Sequence, residues 1–205
     1  MSDQNVDPET LQDEIGQIKE AMGLQSAYPY WWRFWIVEGI GVGLLFPLMQ
    51  LGLNDGFSWW LTATAVGVFL GHQFVLWRIQ KAYDRPTSGI PSWDFWHYII
   101  FASLIAAIIG IRPLLGGFEG DVLTLWLVIV GSLMGMAYLY MGQLLEAYNI
   151  RRVDRYAFYV GGGWILTLVA AIPHISALEN AEFAVFGVGY ALYCLVAYVT
   201  LSRRY

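Results

Sequence analysis

The sequence contains few charged residues. Of its 205 residues, 13% are charged and 58% are hydrophobic, whereas soluble domains carry a charge on about a quarter of their residues. A soluble core of this chain length cannot bury many long apolar runs, so the composition excludes a water-soluble globular protein. Six stretches have no Asp, Glu, Lys or Arg at all: Gly39–Asn54, Gly56–Trp77, Phe95–Ile111, Val122–Leu145, Tyr156–Leu178 and Phe183–Ser202.

The sequence has one cysteine and no features of a signal peptide. The single cysteine, Cys194, lies in the last apolar run and cannot form an intrachain disulfide, so the redox environment cannot be inferred from it. We expect it to be a small buried apolar side chain. Residues 1–30 are polar and acidic, without a basic start or an apolar middle, so we expect no cleavable signal peptide.

Lysine is nearly absent, and the charge balance is acidic. The formal net charge is −5, which argues against nucleic acid as a partner and is compatible with a salt-loving host. The two lysines, Lys19 and Lys81, both lie outside the predicted spans. No lysine is therefore placed to form a retinal Schiff base, which excludes a rhodopsin.

What the sequence does contain is six segments of membrane-spanning length. A hydrocarbon core of about 30 Å needs ~20 helical residues. We predict an all-α polytopic membrane protein whose residues 31–205 form six transmembrane helices, arranged as three consecutive helical hairpins. The first two helices fold back through the turn Gly52–Gly56. The predicted spans are residues 31–51, 57–77, 95–115, 122–145, 156–175 and 182–202.

Residues 1–30 are predicted to form a cytoplasmic tail with an amphipathic helix at about residues 8–22. The polar face of this helix is acidic, which disfavours binding to anionic lipid. A contact with a protein partner or with a second copy of the chain suits the helix better, although it could also rest on its own membrane domain. The apolar stripe consists of Leu11, Ile15, Ile18 and Met22.

The basic residues fall on one side of the predicted membrane domain. By the positive-inside rule, this bias predicts a cell-membrane protein with both termini in the cytoplasm. The opposite side receives only Arg112. The side predicted to be cytoplasmic receives ten: Lys19, Arg33, Arg78, Lys81, Arg85, Arg151, Arg152, Arg155, Arg203 and Arg204.

Two patterns recur along the chain. An aromatic residue precedes a proline by the same interval three times, which predicts an internal repeat of helical hairpins. Small residues also recur at four-residue spacing, which lets helices approach closely and indicates intramolecular packing. The first pattern pairs Tyr30, Trp96 and Tyr156 with Pro47, Pro113 and Pro173. The second comprises Gly39/Gly43, Gly67/Gly71, Gly131/Gly135 and Gly187/Ala191.

Ionisable groups at membrane depth are the main functional candidates, because inserting them is costly. Glu38 and His72 are predicted at one level on adjacent antiparallel helices. Gln73, Gln143 and Glu146 enter from the same side, so the five residues form a candidate polar site. The pair could be a proton- or cation-responsive site, with Glu38 as acceptor and His72 as titrating partner. The alternative is an interhelical hydrogen bond that locks the first hairpin.

No pattern predicts catalysis. The three histidines, His72, His97 and His174, lack metal-ligand spacing, and no nucleophile–base pair is present. We therefore expect no metal and no cofactor. The sequence favours a non-catalytic membrane protein that acts through helix packing as an accessory, scaffold or sensory subunit. The alternatives are a small transporter or channel with a responsive polar site near the cytoplasmic side, and an intramembrane enzyme.

Overall fold

The computed structural model is helical and contains no β-strand in the part of the chain that it describes. Five of its helices are long and apolar enough to cross a membrane, which confirms the prediction of an all-helical chain of membrane type. The described residues are 14, 18, 32–82, 99–100, 102–103, 105–107, 109–110, 121–147 and 150–203.

The five long helices match five of the predicted spans. Two short 3₁₀ turns, Ile172–His174 and Ser176–Leu178, connect the fourth helix to the fifth. The described residues between 99 and 110, within the remaining predicted span, are helical. The helices are α1 (Trp32–Asp55), α2 (Trp59–Lys81), α3 (Val122–Ala147), α4 (Arg152–Ala171) and α5 (Glu182–Ser202).

The predicted amphipathic helix of the N-terminal tail lies largely outside the described residues. Glu14 and Ile18 are described, and both are helical and exposed. The partner contact predicted for the stripe of Leu11, Ile15, Ile18 and Met22 therefore stays a prediction.

The first turn differs from the prediction. We predicted a turn at Gly52–Gly56, but α1 continues through Asp55, and the turn begins at Gly56, whose φ is 86°. Pro47 lies inside α1 rather than at its end. The last turn of α1 is held by a hydrogen bond from Gln50 to Asn54 of 2.9 Å, so the helix persists beyond the proline.

Close packing joins α1 to α5. A Cβ added at Gly39 would lie 2.6 Å from the Cβ of Cys194, and one at Gly43 would lie 2.8 Å from the Cβ of Ala191. A Cβ at Gly187 would lie 2.7 Å from the Cβ of Phe46. Small residues therefore face each other at Gly39/Cys194 and Gly43/Ala191, and Gly187 makes room for Phe46; Cys194 is fully buried beside the seam.

A second seam joins α3 to α4. A Cβ at Gly162 would lie 2.9 Å from the carbonyl oxygen of Gly135, so the two backbones meet there. By contrast, no atom of the described residues lies within 4 Å of a Cβ built at Gly67 or Gly71 on α2. The four-residue spacing of small residues thus correctly predicted the two packed seams. The same spacing also predicted packing at Gly67/Gly71, where the described structure has no contact.

The contacts also fix the direction of each helix. Gly39 meets Cys194 while Gln50 meets Phe183, so α1 and α5 are antiparallel. The same reasoning makes α2 antiparallel to α1, and α3 antiparallel to α4. The helices α1 and α4 therefore begin at one end of the bundle, and α2, α3 and α5 end there.

The two ends differ in charge. We call the end where α1 and α4 begin the basic end, and the other the acidic end. The described acidic end has no Lys or Arg and carries Asp55, Asp121, Glu179 and Glu182. All described basic side chains lie at or near the basic end: Arg33, Arg78, Lys81, Arg151, Arg152, Arg155 and Arg203.

Candidate functional site

Glu38 and His72 are in contact between α1 and α2. The imidazole Nε2 of His72 lies 2.8 Å from the carboxylate Oε2 of Glu38. Only 6% of the His72 side chain and 15% of the Glu38 side chain are exposed. The structure therefore brings together, in a nearly buried place, the two ionisable residues that the sequence placed at one level.

The local backbone of α1 makes room for this contact. A Cβ at Gly41 would lie 2.2 Å from Cδ2 of His72, so the imidazole rests directly on the helix backbone. Any larger residue at position 41 would push the ring away from Glu38. The absence of a side chain at Gly41 thus positions His72.

Two tyrosines extend the pair across the bundle. The hydroxyl of Tyr190 on α5 donates a hydrogen bond of 3.3 Å to Oε1 of Glu38. The hydroxyl of Tyr138 on α3 hydrogen-bonds in turn to the hydroxyl of Tyr190, which is fully buried. We call His72, Glu38, Tyr190 and Tyr138 the polar network. It links α2, α1, α5 and α3.

An aromatic cluster surrounds the network on the side toward the basic end. Trp35 is fully buried, and its ring centroid lies 6.2 Å from that of Tyr138 and 4.8 Å from that of Phe158. The ring of Tyr193 meets Trp35 edge-on at 5.8 Å. The cluster therefore packs against Tyr138, the member of the polar network on α3.

The other three candidate residues are placed differently. Gln73 is exposed, and its Nε2 lies 3.3 Å from Nδ1 of the neighbouring His72. Glu146 is exposed and forms an ion pair of 2.8 Å with Arg155 on α4. Gln143 is exposed on α3. Within the described structure, neither Gln143 nor Glu146 is bonded to Glu38 or His72.

Sequence reasoning missed a second polar contact, at the acidic end. Gln50 is buried, and its Oε1 accepts a 2.8 Å hydrogen bond from the backbone N–H of Phe183 in the first turn of α5. Asn54 donates a bond of 2.9 Å to the carbonyl of Asn180. Gln50 and Asn54 are four residues apart on one face of an otherwise apolar helix, which is the signal that could have revealed them.

The tyrosines were missed for a different reason. Tyr138 and Tyr190 lie among thirteen tyrosines, many of which fit an interfacial belt. Their hydroxyls become part of the polar network only because α3 and α5 are neighbours, and sequence alone does not pair these helices.

The polar network consists of hydrogen bonds between side chains of four helices. Glu38, His72 and the tyrosine hydroxyls are proton donors and acceptors in contact with one another. In the described part of the chain, no group of three His, Cys, Asp or Glu residues is arranged to hold a metal ion. What the geometry shows is hydrogen bonding between helices.

Similarity to known proteins does not assign a function. Comparisons of the chain with protein-family models, with curated proteins and with solved structures give no match. Function must therefore be inferred from the helices and their polar contacts.

Proposed function

We propose that this chain is a non-catalytic integral membrane protein that acts through helix packing, as an accessory, scaffold or sensory subunit. The observation that carries the proposal is the polar network. Glu38 and His72 are the two ionisable groups of α1 and α2 farthest from the helix ends. They hydrogen-bond to each other and are mostly shielded from solvent. A mostly shielded carboxylate that hydrogen-bonds to neighbouring helices holds them together.

The proposal includes six spans. The helix α2 ends at the basic end, and α3 begins at the acidic end, so the chain between Lys81 and Asp121 connects opposite faces. The described residues between 99 and 110 are helical. A sixth span at about residues 95–115 fits both observations.

The proposal also places both termini in the cytoplasm. The described arginines and lysines lie at the basic end, as the positive-inside rule requires of a cytoplasmic face. Aromatic rings accompany them there: Nζ of Lys81 lies 4.0 Å from the ring centroid of Trp77. Such cation–ring pairs are typical of a membrane interface.

A sensory role would use the same residues. Histidine is the side chain most often used to convert pH into a structural change. Since Glu38 bonds both His72 and Tyr190, a change in its protonation would alter contacts of α2 and α5 at once. The apolar stripe predicted for the tail, of which Ile18 is exposed, would then be available to a partner in the cytoplasm.

A small transporter or channel is the alternative, and one observation favours it. The side chains of Gln73, His72, Glu38, Tyr190 and Tyr138 form a continuous series of hydrogen-bonding contacts from an exposed position to the buried interior. Such a series could carry protons or respond to a cation. The tight glycine seams on either side leave little room for a wider path.

The two functions can be separated by a flux assay. The full chain is reconstituted into liposomes that contain a pH-sensitive dye, and a pH step is applied with and without a potassium gradient clamped by valinomycin. We expect the rate of proton entry to equal that of protein-free liposomes. A faster rate that Glu38→Gln abolishes and Glu146→Gln preserves would instead establish the transport alternative.

A further inference from the structure

The basic end carries more exposed positive charge than its own carboxylates neutralise. Among the described residues of its helices, Glu146 is the one exposed carboxylate, and it is already paired with Arg155. Asp154 is buried. The exposed cations there are Arg33, Arg78, Lys81, Arg151, Arg152 and Arg203. This surface therefore suits an anionic partner.

These cations come from four helices whose ends are neighbours. The ring centroids of Trp32 and Tyr198 are 5.5 Å apart, which places the start of α1 beside the end of α5. Those of Phe34 and Phe158 are 6.4 Å apart, which places the start of α1 beside the start of α4. The helix α2 also packs on α1. Since packed helices lie about 8–10 Å apart, the cations form one continuous surface.

Aromatic rings hold some of these cations at the surface. The guanidinium carbon of Arg33 lies 5.1 Å from the ring centroid of Trp32, and Nζ of Lys81 lies 4.0 Å from that of Trp77. Within the described structure, neither Arg33 nor Lys81 forms an ion pair with a carboxylate. A cation that rests on a ring still has N–H donors to offer to an anion.

The chain itself supplies an anionic segment at this end. Because α1 begins at the basic end, residues 1–31 join the membrane domain beside these cations. Residues 1–30 contain a single basic residue, Lys19, and six carboxylates: Asp3, Asp7, Glu9, Asp13, Glu14 and Glu20. A tethered segment is present at its target at an effective concentration in the millimolar range, so even weak ion pairs can hold it. The tail and the basic end are therefore complementary in charge and held close together.

The predicted tail helix separates its acidic side from its apolar stripe. With about 3.6 residues per turn, the side opposite the stripe carries Glu9, Asp13 and Glu20. Glu14 falls beside the stripe instead. The two described residues of the tail, Glu14 and Ile18, are both exposed, Ile18 to 54%. Their exposure fits a helix that turns its acidic side, rather than its apolar stripe, toward the membrane domain.

The dimensions of the tail match the basic end. At 1.5 Å per residue, Glu9 and Glu20 are about 16 Å apart along the helix, which is about two helix spacings of the bundle. Residues 21–31, which join Glu20 to α1, can span up to about 36 Å when extended. The tail helix can therefore lie across the basic end without strain on the connection.

We propose that the acidic side of the tail helix docks on the basic end of its own chain and holds the apolar stripe facing away from the membrane domain. Glu9, Asp13 and Glu20 pair with the exposed cations, and the stripe stays free for the partner contact predicted from the sequence. This inference goes beyond the packing function proposed above. It does not depend on that function, because the tail joins the basic end whatever the polar network does.

The two lysines of the chain allow a direct test. Lys81 lies at the basic end and Lys19 in the tail, and the chain has no other lysine. A carbodiimide joins an amine directly to a carboxylate in contact with it, and mass spectrometry identifies the linked peptides. The full chain is treated in phosphatidylcholine nanodiscs that hold one copy each. Arg152→Lys, which keeps the charge, adds an amine at the start of α4, so that the surface is sampled at two places.

We expect links from Lys81, or from the amine introduced at position 152, to Glu9 or Glu20 at about 0.1 M salt. At about 1 M salt the yield should fall severalfold, because the Debye length shortens from about 10 Å to about 3 Å. The absence of such links from both amines, or a yield that does not change with salt, would overturn the proposal.

Two variants test which side of the tail helix docks. Asp13→Asn and Glu14→Gln each remove one negative charge, at adjacent positions on different sides of the predicted helix. Asp13→Asn should lower the yield of links to Glu9 and Glu20 by about twofold or more, as expected for the loss of a surface ion pair. Glu14→Gln should leave the yield nearly unchanged. Equal yields in the two variants would refute docking by the acidic side.

Other occupants of the basic end would give different results. If the tail docks on a second copy, mixing ¹⁵N-labelled and unlabelled chains before reconstitution should give links between the two isotopic forms, which would overturn docking within one chain. If anionic lipid occupies this surface, the links should disappear in nanodiscs that contain phosphatidylglycerol. Links that persist in that lipid and join only peptides of the same isotopic form support the proposal.

Discussion

The carbonyl oxygen of Gly43 on α1 faces Gly187 on α5, and a Cβ added at Gly187 would lie only 3.1 Å from it. Pro47, four residues after Gly43, has no N–H to bond this carbonyl within the helix. The close approach of α5 covers the carbonyl, and the same glycine also accommodates Phe46 and Pro47. The proline in α1 and the glycine in α5 are therefore complementary.

This relationship predicts a strong effect of size at Gly187. Gly187→Val should destabilise the protein by about 1–3 kcal/mol, since an inserted side chain must separate α1 from α5. The matched control is Gly71→Val on α2, where no described atom lies within 4 Å of a Cβ. Reversible unfolding in mixed micelles measures both changes. Equal losses of stability in the two variants would contradict the packing of this seam.

The buried amide of Gln50 gives a second prediction. Gln50→Leu preserves the approximate volume but leaves the N–H of Phe183 without its acceptor. We expect a loss of about 1–3 kcal/mol, the usual penalty of a buried unsatisfied donor. Gln143→Leu, at an exposed amide on α3, should change the free energy of unfolding by less than about 0.5 kcal/mol. If Gln50→Leu is as stable as wild type, the bond does not fasten α1 to α5.

A third prediction concerns the loss of stability at low pH. The hydrogen bond from Thr124 is the main reason that the pKa of Asp121 is lowered, with the backbone N–H groups contributing. A carboxyl whose pKa is lower in the folded state stabilises the fold above its unfolded pKa and loses this effect as the pH falls through the folded value. The wild type should therefore lose stability below about pH 4. Asp121→Asn should show a smaller loss in that range, and Asp55→Asn should follow the wild type. If the free energy of unfolding falls equally with pH in the wild type and in Asp121→Asn, Asp121 makes no such contribution.

The fold was predictable to the extent that it depends on local patterns. The long uncharged runs predicted the helices, because a helix of that length can cross the bilayer with all its backbone hydrogen bonds made internally. The predicted turn at Gly52–Gly56 began too early: α1 continues to Asp55, where Gln50 accepts the backbone N–H of Phe183 in α5 and Asn54 donates to the carbonyl of Asn180, just before α5. Those bonds depend on a tertiary neighbour that sequence periodicity does not reveal.

The site was predictable only in part, for the same reason. Glu38 and His72 lie on consecutive helices, so counting residues from the membrane boundary placed them at one level. Tyr190 and Tyr138 reach Glu38 from α5 and α3, whose positions beside α1 depend on the whole bundle. Glu146, predicted near Glu38, pairs with Arg155 on the adjacent α4 instead.

The central claim is that Glu38 and His72 act together to hold helices against each other. A double-mutant cycle with Glu38→Gln and His72→Gln, measured by reversible unfolding in lipid-containing micelles, tests it most directly. We expect each single substitution to lower the free energy of unfolding by about 1–3 kcal/mol. The double variant should lose less than the sum of the two, by a coupling energy of about 1 kcal/mol or more. Additive effects, or single variants as stable as wild type, would contradict the claim.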